Sequence, residues 1–214
     1  MATKQKLKIL CIHGYRQNGK TFREKSGSFR KVLKKYAEFS FVTAPNILPD
    51  CDGDSEQRGW WFSSPGKAYN AKEYTEFTEG FEESLNVVAD FIAQEGPFDG
   101  ILAFSQGASF LSIICSLKEM NDARFQNFRF AMFVAGFKSR QSSHKVYYEQ
   151  LVQLPTFHII GETDAVIPRE MSDDLLQHYS SPVVLRHEGG HFIPSISKCK
   201  KDVFNFLDNF IEIS

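Results

Sequence analysis

Gly100-Ile101-Leu102-Ala103-Phe104-Ser105-Gln106-Gly107-Ala108 is the stretch on which the fold turns. An apolar run opened by a glycine reads as a strand buried on both faces, and the residues from Ala108 to Leu117 carry a helical pattern. Only a sharp strand-to-helix turn fits between them. Such a turn lifts the Ser105 hydroxyl above the sheet edge and aims a helix N-terminus at it, where negative charge is favoured. The pattern G-x-S-x-G is met except at its first position, where Ala103 replaces a glycine that normally lets the helix pack closely on the strand. One methyl group is a small intrusion, so the turn is expected to persist. By itself, Ser105 reads equally well as the N-cap of a buried helix.

Two later segments separate these readings. Leu154-Pro155-Thr156-Phe157-His158-Ile159-Ile160-Gly161 is an apolar strand ending in glycine, followed by Glu162-Thr163-Asp164. A carboxylate just past such a strand can reach over the sheet edge, which makes Asp164 the candidate acid, Glu162 the alternative, and helix capping the plainer role. Val183-Val184-Leu185-Arg186-His187-Glu188 reads as a further strand, and Gly189-Gly190-His191 as a flexible turn presenting an imidazole. A lone hydroxyl is a poor nucleophile at neutral pH, whereas a hydroxyl beside an imidazole that is itself held by a carboxylate is activated. The chain order Ser105, Asp164, His191, each at a strand-to-loop transition, is that of the α/β-hydrolase fold. The backbone N–H groups of Gln106 and of Tyr15, in the loop after the first strand, are the candidate oxyanion donors.

Working outward, strands are expected near Leu7–Ile12, Phe39–Thr43, Asp99–Phe104, Phe130–Ala135, Phe157–Ile160 and Val183–His187. Their alternation with helical segments predicts a compact α/β-hydrolase fold of about six mostly parallel strands with helices on both faces. Phe77, Phe81, Leu85, Val88 and Ile92 recur at helical steps after Thr75, as do Val203, Phe206, Leu207 and Phe210 near the end, and both stripes read as core. Residues 1–214 read as one domain, without repeats or an interdomain linker. The stretch 44–72, rich in Pro, Gly, Asp and Ser, is long enough to be a lid or substrate-binding loop. At its centre Trp60, Trp61 and Phe62 are expected to wall an apolar substrate site, or else to pin the loop onto the core. A second long loop runs from Lys138 to Gln150.

With 42% hydrophobic residues and 24% charged ones, the chain can fill a large core, which excludes disorder. A net charge of −1 and a pI near 6.6 leave no footprint for nucleic acid or an anionic membrane surface. Lys31, Lys34 and Lys35 read as the wet face of a helix. Cys11, Cys51, Cys115 and Cys199 are scattered, with no C-x-x-C pair for zinc or redox chemistry. Together with an opening stretch that lacks the features of a signal peptide and no apolar run of membrane-spanning length, this points to a cytoplasmic or nuclear setting.

Two motifs compete. Gly14-Tyr15-Arg16-Gln17-Asn18-Gly19-Lys20-Thr21 satisfies the P-loop pattern G-x-x-x-x-G-K-[ST], so a nucleotide-binding phosphotransferase is an alternative. Against it, no apolar strand ends in the aspartate that would complete a magnesium site, and Tyr15-Arg16 is bulky where backbone must wrap phosphate. His187-Glu188-Gly189-Gly190-His191 matches H-E-x-x-H. That zinc motif needs a helix, which two adjacent glycines disfavour by about 2 kcal/mol, so no metal and no cofactor are expected. A non-catalytic interaction module of hydrolase fold is the remaining alternative.

Six segments together resemble the FSH-type serine hydrolases: Leu10 through Lys20, Glu24-Lys25-Ser26-Gly27, Arg58-Gly59-Trp60-Trp61-Phe62, Gly96-Pro97-Phe98-Asp99-Gly100, Phe104-Ser105-Gln106-Gly107-Ala108 and Gly189-Gly190-His191-Phe192-Ile193-Pro194. The resemblance implies a small α/β-hydrolase with its triad on Ser105, Asp164 and His191, acting on small-molecule carboxylic esters with a leaning towards long acyl chains. It also implies that the P-loop-like segment is the oxyanion loop and the start of the next helix. Ala103, where the family commonly has glycine, is the departure.

Overall fold

The structure, a computed structural model, describes residues 5–49, 56–197 and 199–211. Cys51 and the rest of residues 50–55 in the 44–72 stretch lie outside those residues. In chain order the elements are β1 (Leu7–Ile12), α1 (Gly19–Lys25), α2 (Gly27–Leu33), β2 (Ala37–Val42), the two-residue strands β3 (Asn46–Ile47) and β4 (Arg58–Gly59), and α3 (Phe81–Glu95). There follow β5 (Gly100–Phe104), α4 (Gln106–Glu119), β6 (Phe130–Val134), β7 (Thr156–Gly161), α5 (Arg169–Leu176), β8 (Val183–His187) and α6 (Lys200–Asp208). The main sheet has six strands in the order β2-β1-β5-β6-β7-β8, and every neighbouring pair is parallel. All six strands anticipated from sequence are present, with ends displaced by a residue or two.

The central strands explain why the apolar runs were so plain. Every residue of β5 and β6 is buried, as a parallel strand covered on both faces requires. One face packs against α3, α4 and α5 through Leu85, Val88, Phe110 and Leu175. The other packs against α1, α2 and α6 through Phe22, Phe29, Val203 and Phe206. These stripes bury because their three- and four-residue spacing keeps them on one side of a helix.

The helix expected from Thr75 onward begins only at Phe81. Gly80 sits at φ 84°, in the left-handed region, and a Cβ there would meet the Asn46 side chain at 2.5 Å. The chain therefore turns at Gly80, and Phe77 falls in the preceding loop, where its carbonyl accepts a hydrogen bond from the Gln141 carboxamide. Lys31 lies in the last turn of α2 while Lys34 and Lys35 follow the helix, all three exposed as expected.

Strand order also places the chemistry. After β1 the chain goes outward to β2, then returns to form β5 on the other side of β1. The loops leaving β1 and β5 thus diverge and open a crevice at the carboxyl ends of these strands, where open α/β sheets bind ligands.

Candidate active site

Ser105 follows β5 directly, with φ 55° and ψ −119°, a strained conformation for a residue with a side chain. Its N–H donates to the Val134 carbonyl at 2.9 Å, and its own carbonyl accepts the Ser109 N–H of α4. These bonds hold the turn between strand and helix. Ala103 is fully buried in the strand and does not prevent it. The last position of the motif is the demanding one: a Cβ on Gly107 would stand 2.3 Å from the His13 carbonyl oxygen and 2.7 Å from that of Ile12. Both obstacles are backbone and cannot swing aside. Gly107→Ala is expected to destabilise the fold by about 1–3 kcal/mol, the usual range for overpacking, read as a lower urea midpoint. An unchanged midpoint would show that α4 can move off β1 freely.

Ser105, His191 and Asp164 converge. His191 Nε2 lies 2.9 Å from Ser105 Oγ, and His191 Nδ1 lies 2.7 Å from Asp164 Oδ2. Asp164 is fixed from its other oxygen, since Oδ1 accepts the N–H groups of Val166 at 2.9 Å and Ile167 at 2.8 Å. Burial pushes its carboxyl pKa up, but the His191 hydrogen bond, the two amides and the nearby imidazole outweigh burial and hold it below the usual carboxylate range. The Asp164 side chain is 1% exposed and that of His191 20%, so the cluster opens to solvent at the imidazole. Glu162, the alternative acid, instead pairs with Arg169 at 3.1 Å and Arg186 at 3.4 Å on the surface.

The proposed oxyanion donors lie on the two loops flanking the β1–β5 crevice. Gln106 opens α4, so its N–H has no intrahelical acceptor. Tyr15 follows Gly14, whose N–H donates to Gln17 Oε1 at 3.1 Å. Two groups unread in the sequence shape this region. His13 is buried, with Nδ1 2.8 Å from the Gly14 carbonyl and Nε2 accepting the Ala44 N–H at 3.0 Å, which fixes a neutral ring. Burial, aided by the Arg58 charge and opposed by the Gly14 carbonyl, pushes its pKa down to about 4. The Gln106 side chain, also buried, accepts the Trp60 N–H at 3.0 Å and donates to the Trp61 carbonyl at 2.7 Å. A polar side chain at the carboxyl end of a buried strand, as His13 is, was the available signal.

Trp60, Trp61 and Phe62 do not offer the accessible wall expected of them. All three are fully buried, and Trp60 Nε1 donates to the His13 carbonyl at 2.7 Å while its ring stacks on Phe110 at 5.0 Å. Their apolar area and backbone bonds tie residues 58–62 to the frame of the nucleophile, the packing alternative for this loop.

The P-loop-like segment is also engaged internally. Asn18 caps α1, and its side chain accepts the Thr21 N–H at 2.9 Å while Thr21 Oγ1 accepts the Asn18 N–H at 2.9 Å. The Gly19 N–H donates to Thr43 Oγ1. Hydroxyl and amides that would hold magnesium and phosphate are thus used in capping and loop closure. In the H-E-x-x-H match, His187 Nδ1 accepts the Gly189 N–H, whereas His191 faces Asp164 and Ser105. Among the described residues, no group of three or more His, Cys, Asp or Glu is placed to hold a metal.

A serine hydroxyl, an imidazole and a carboxylate in one hydrogen-bonded line, above a parallel sheet, define an α/β-hydrolase. The chain belongs to the FSH1 serine hydrolase family, whose profile matches residues 1–203. It is 43% identical over 221 residues to the Xenopus tropicalis protein named Esterase OVCA2, covering 98% of this chain and 96% of that one. The Homo sapiens Esterase OVCA2 is 37% identical over 227 residues, covering 99% of this chain and all of that one. Among solved structures, Arabidopsis thaliana SOBER1 superposes with a TM-score of 0.63 at 17% identity, covering 96% of this chain and 99% of that one. At that identity the likeness speaks for the fold. No helix among the described residues is long and apolar enough to cross a membrane.

Proposed function

We propose that this serine hydrolase cleaves carboxylic esters with Ser105 as nucleophile, His191 as base and then acid, and Asp164 as the group that orients the imidazole. The unbroken contact series from Ser105 Oγ through His191 to Asp164, at 2.9 and 2.7 Å, carries the reading. An ionised Asp164 accepts only, so the ring keeps its proton on Nδ1 and offers the Nε2 lone pair to the Ser105 hydroxyl. Attack on the ester carbonyl passes the proton to Nε2, and the imidazolium returns it to the departing alkoxide. Water then repeats the cycle on the acyl-enzyme. The Tyr15 and Gln106 N–H groups meet the oxyanion, each such donor typically supplying roughly 3 kcal/mol to the transition state.

The acyl half is apolar, with long chains favoured. Val166, beside Asp164, is 51% exposed, an apolar margin that suits such a substrate. Residues 1–214 act as one hydrolase domain, and the 58–62 part of the long loop serves as a fixed cover. The reaction asks for no cofactor, and the free thiols of Cys11, Cys115 and Cys199 suit a cytoplasmic or nuclear setting.

A fluorophosphonate probe followed by peptide mapping tests the assignment, with the adduct expected on Ser105. Labelling of a different residue, or of none in the folded chain, refutes it, the second outcome favouring a non-catalytic module. A panel of esters graded in acyl length then tests the preference. Trp61→Ala should lower turnover of short and long acyl esters by the same factor, because the ring is a scaffold element. A loss confined to long chains would return Trp61 to the pocket.

A further inference from the structure

A cleft of about 290 Å³ opens beside His191. Phe22, Phe104, Phe192 and Ile193 make its walls apolar, while Gln17 and Lys25 contribute its other polar groups. Ser105, Tyr15 and Gln106 do not line it, so it stands on the imidazole side of the reaction centre. The two halves of an ester go to different sides there. The carbonyl oxygen turns to the oxyanion amides, whereas the leaving oxygen must receive its proton from the imidazole. A cavity walled by His191 therefore receives the alcohol half.

Its polar groups share one character. Gln17 is 7% exposed, and its Oε1 already accepts the Gly14 N–H, which leaves Nε2 as the unengaged donor of a nearly buried carboxamide. Lys25, in the last turn of α1, adds an ammonium, and no acidic side chain lines the cleft. Two donors with no anionic neighbour suit an acceptor-rich, negatively charged group. At about 30 Å³ for each water-sized group, the space holds about ten heavy atoms.

We propose that this cleft binds an alcohol half made of a short apolar chain ending in an anionic group such as a carboxylate, held by the Gln17 amide and the Lys25 ammonium. The substrate class is thus an ester of a hydroxy acid through its hydroxyl. The proposal rests on the ester reading above. In the reaction, Ser105 Oγ bonds to the carbonyl carbon, the carbon–alkoxy bond breaks, and the serine proton reaches the alkoxide by way of His191 Nε2. The P-loop-like segment then has a role in this site, since Gln17 lies within it and Lys25 ends the helix it starts.

The test compares two decanoate esters, one of 1-hexanol and one of 6-hydroxyhexanoate, which differ only in the terminal carboxylate. The wild type is expected to show about fivefold higher kcat/KM for the anionic ester, the scale of one partly solvated charge contact. Lys25→Met should abolish the preference, and Lys25→Glu should invert it. Equal kcat/KM in the wild type overturns the cleft assignment alone, as does a preference that survives Lys25→Met. Hydrolysis of neither ester overturns the ester reading, and the cleft assignment falls with it.

Discussion

Asp164→Asn is expected to fold as the wild type does and to lose about 10⁴-fold in kcat, the scale found when such a triad is left in the wrong tautomer. Local geometry dictates the outcome. Oδ1 of Asp164 accepts two amide hydrogens, from Val166 and Ile167, so an asparagine must keep its carbonyl oxygen there. Its NH2 then takes the place of Oδ2, 2.7 Å from His191 Nδ1. That nitrogen must accept rather than donate, which moves the ring proton to Nε2 and removes the lone pair that faces the Ser105 hydroxyl. Steady-state kinetics against a Ser105→Ala baseline, with thermal unfolding as the folding control, would settle the point. A kcat within tenfold of wild type would mean that Asp164 does not orient the base.

The second large effect concerns stability in acid. His13, His144 and His178 are held down to about 4 and His158 to about 3, in every case chiefly by burial, which disfavours the charged ring. The folded state keeps these rings neutral while the unfolded chain protonates them near pH 6.5. Their contribution is therefore complete above pH 6.5, is lost as the pH falls below it, and stops changing once the folded rings titrate near pH 4. At pH 5 each ring costs about 2 kcal/mol, and four together rival the about 5–15 kcal/mol that holds a typical domain. Cooperative unfolding between pH 5 and pH 4 is the expected result. It should be followed by urea titrations at each pH, with His158→Gln giving a shallower pH slope. Stability that stays level from pH 7 to pH 5 would show that water reaches these rings. Any acid limb of the activity of an imidazole base must accordingly be read above pH 6, where folding does not intrude.

What the sequence disclosed, and what it withheld, follow one physical division. The strands β5, β6 and β7 were legible because a parallel strand covered on both faces must be apolar throughout, and glycine or a polar cluster marks its end. The convergence of Ser105, Asp164 and His191 was legible for a related reason, since each stands at such an end and the sheet brings those ends together. The fate of Trp60, Trp61 and Phe62 was not legible. An aromatic residue in a long loop can bury itself or face a ligand with the same local pattern, and only the Gln106 carboxamide and the His13 carbonyl decide between them. Gly80 was similarly silent: the apolar period runs through it, while its left-handed backbone ends the helix. The match to G-x-x-x-x-G-K-[ST] was an accident of composition that Asn18 and Thr21 resolve by capping each other.

The return of the chain from β2 to the far side of β1 has a consequence for assembly. Gly14 and Ser105 stand side by side in space although some ninety positions of chain separate them, and His191 arrives later still. A ribosome must therefore release the chain past His191 before the three side chains can meet. If Ser105 is the nucleophile proposed above, a protein severed between β6 and β7 is expected to give two inert pieces, whose reunion alone restores reactivity towards a phosphonate probe.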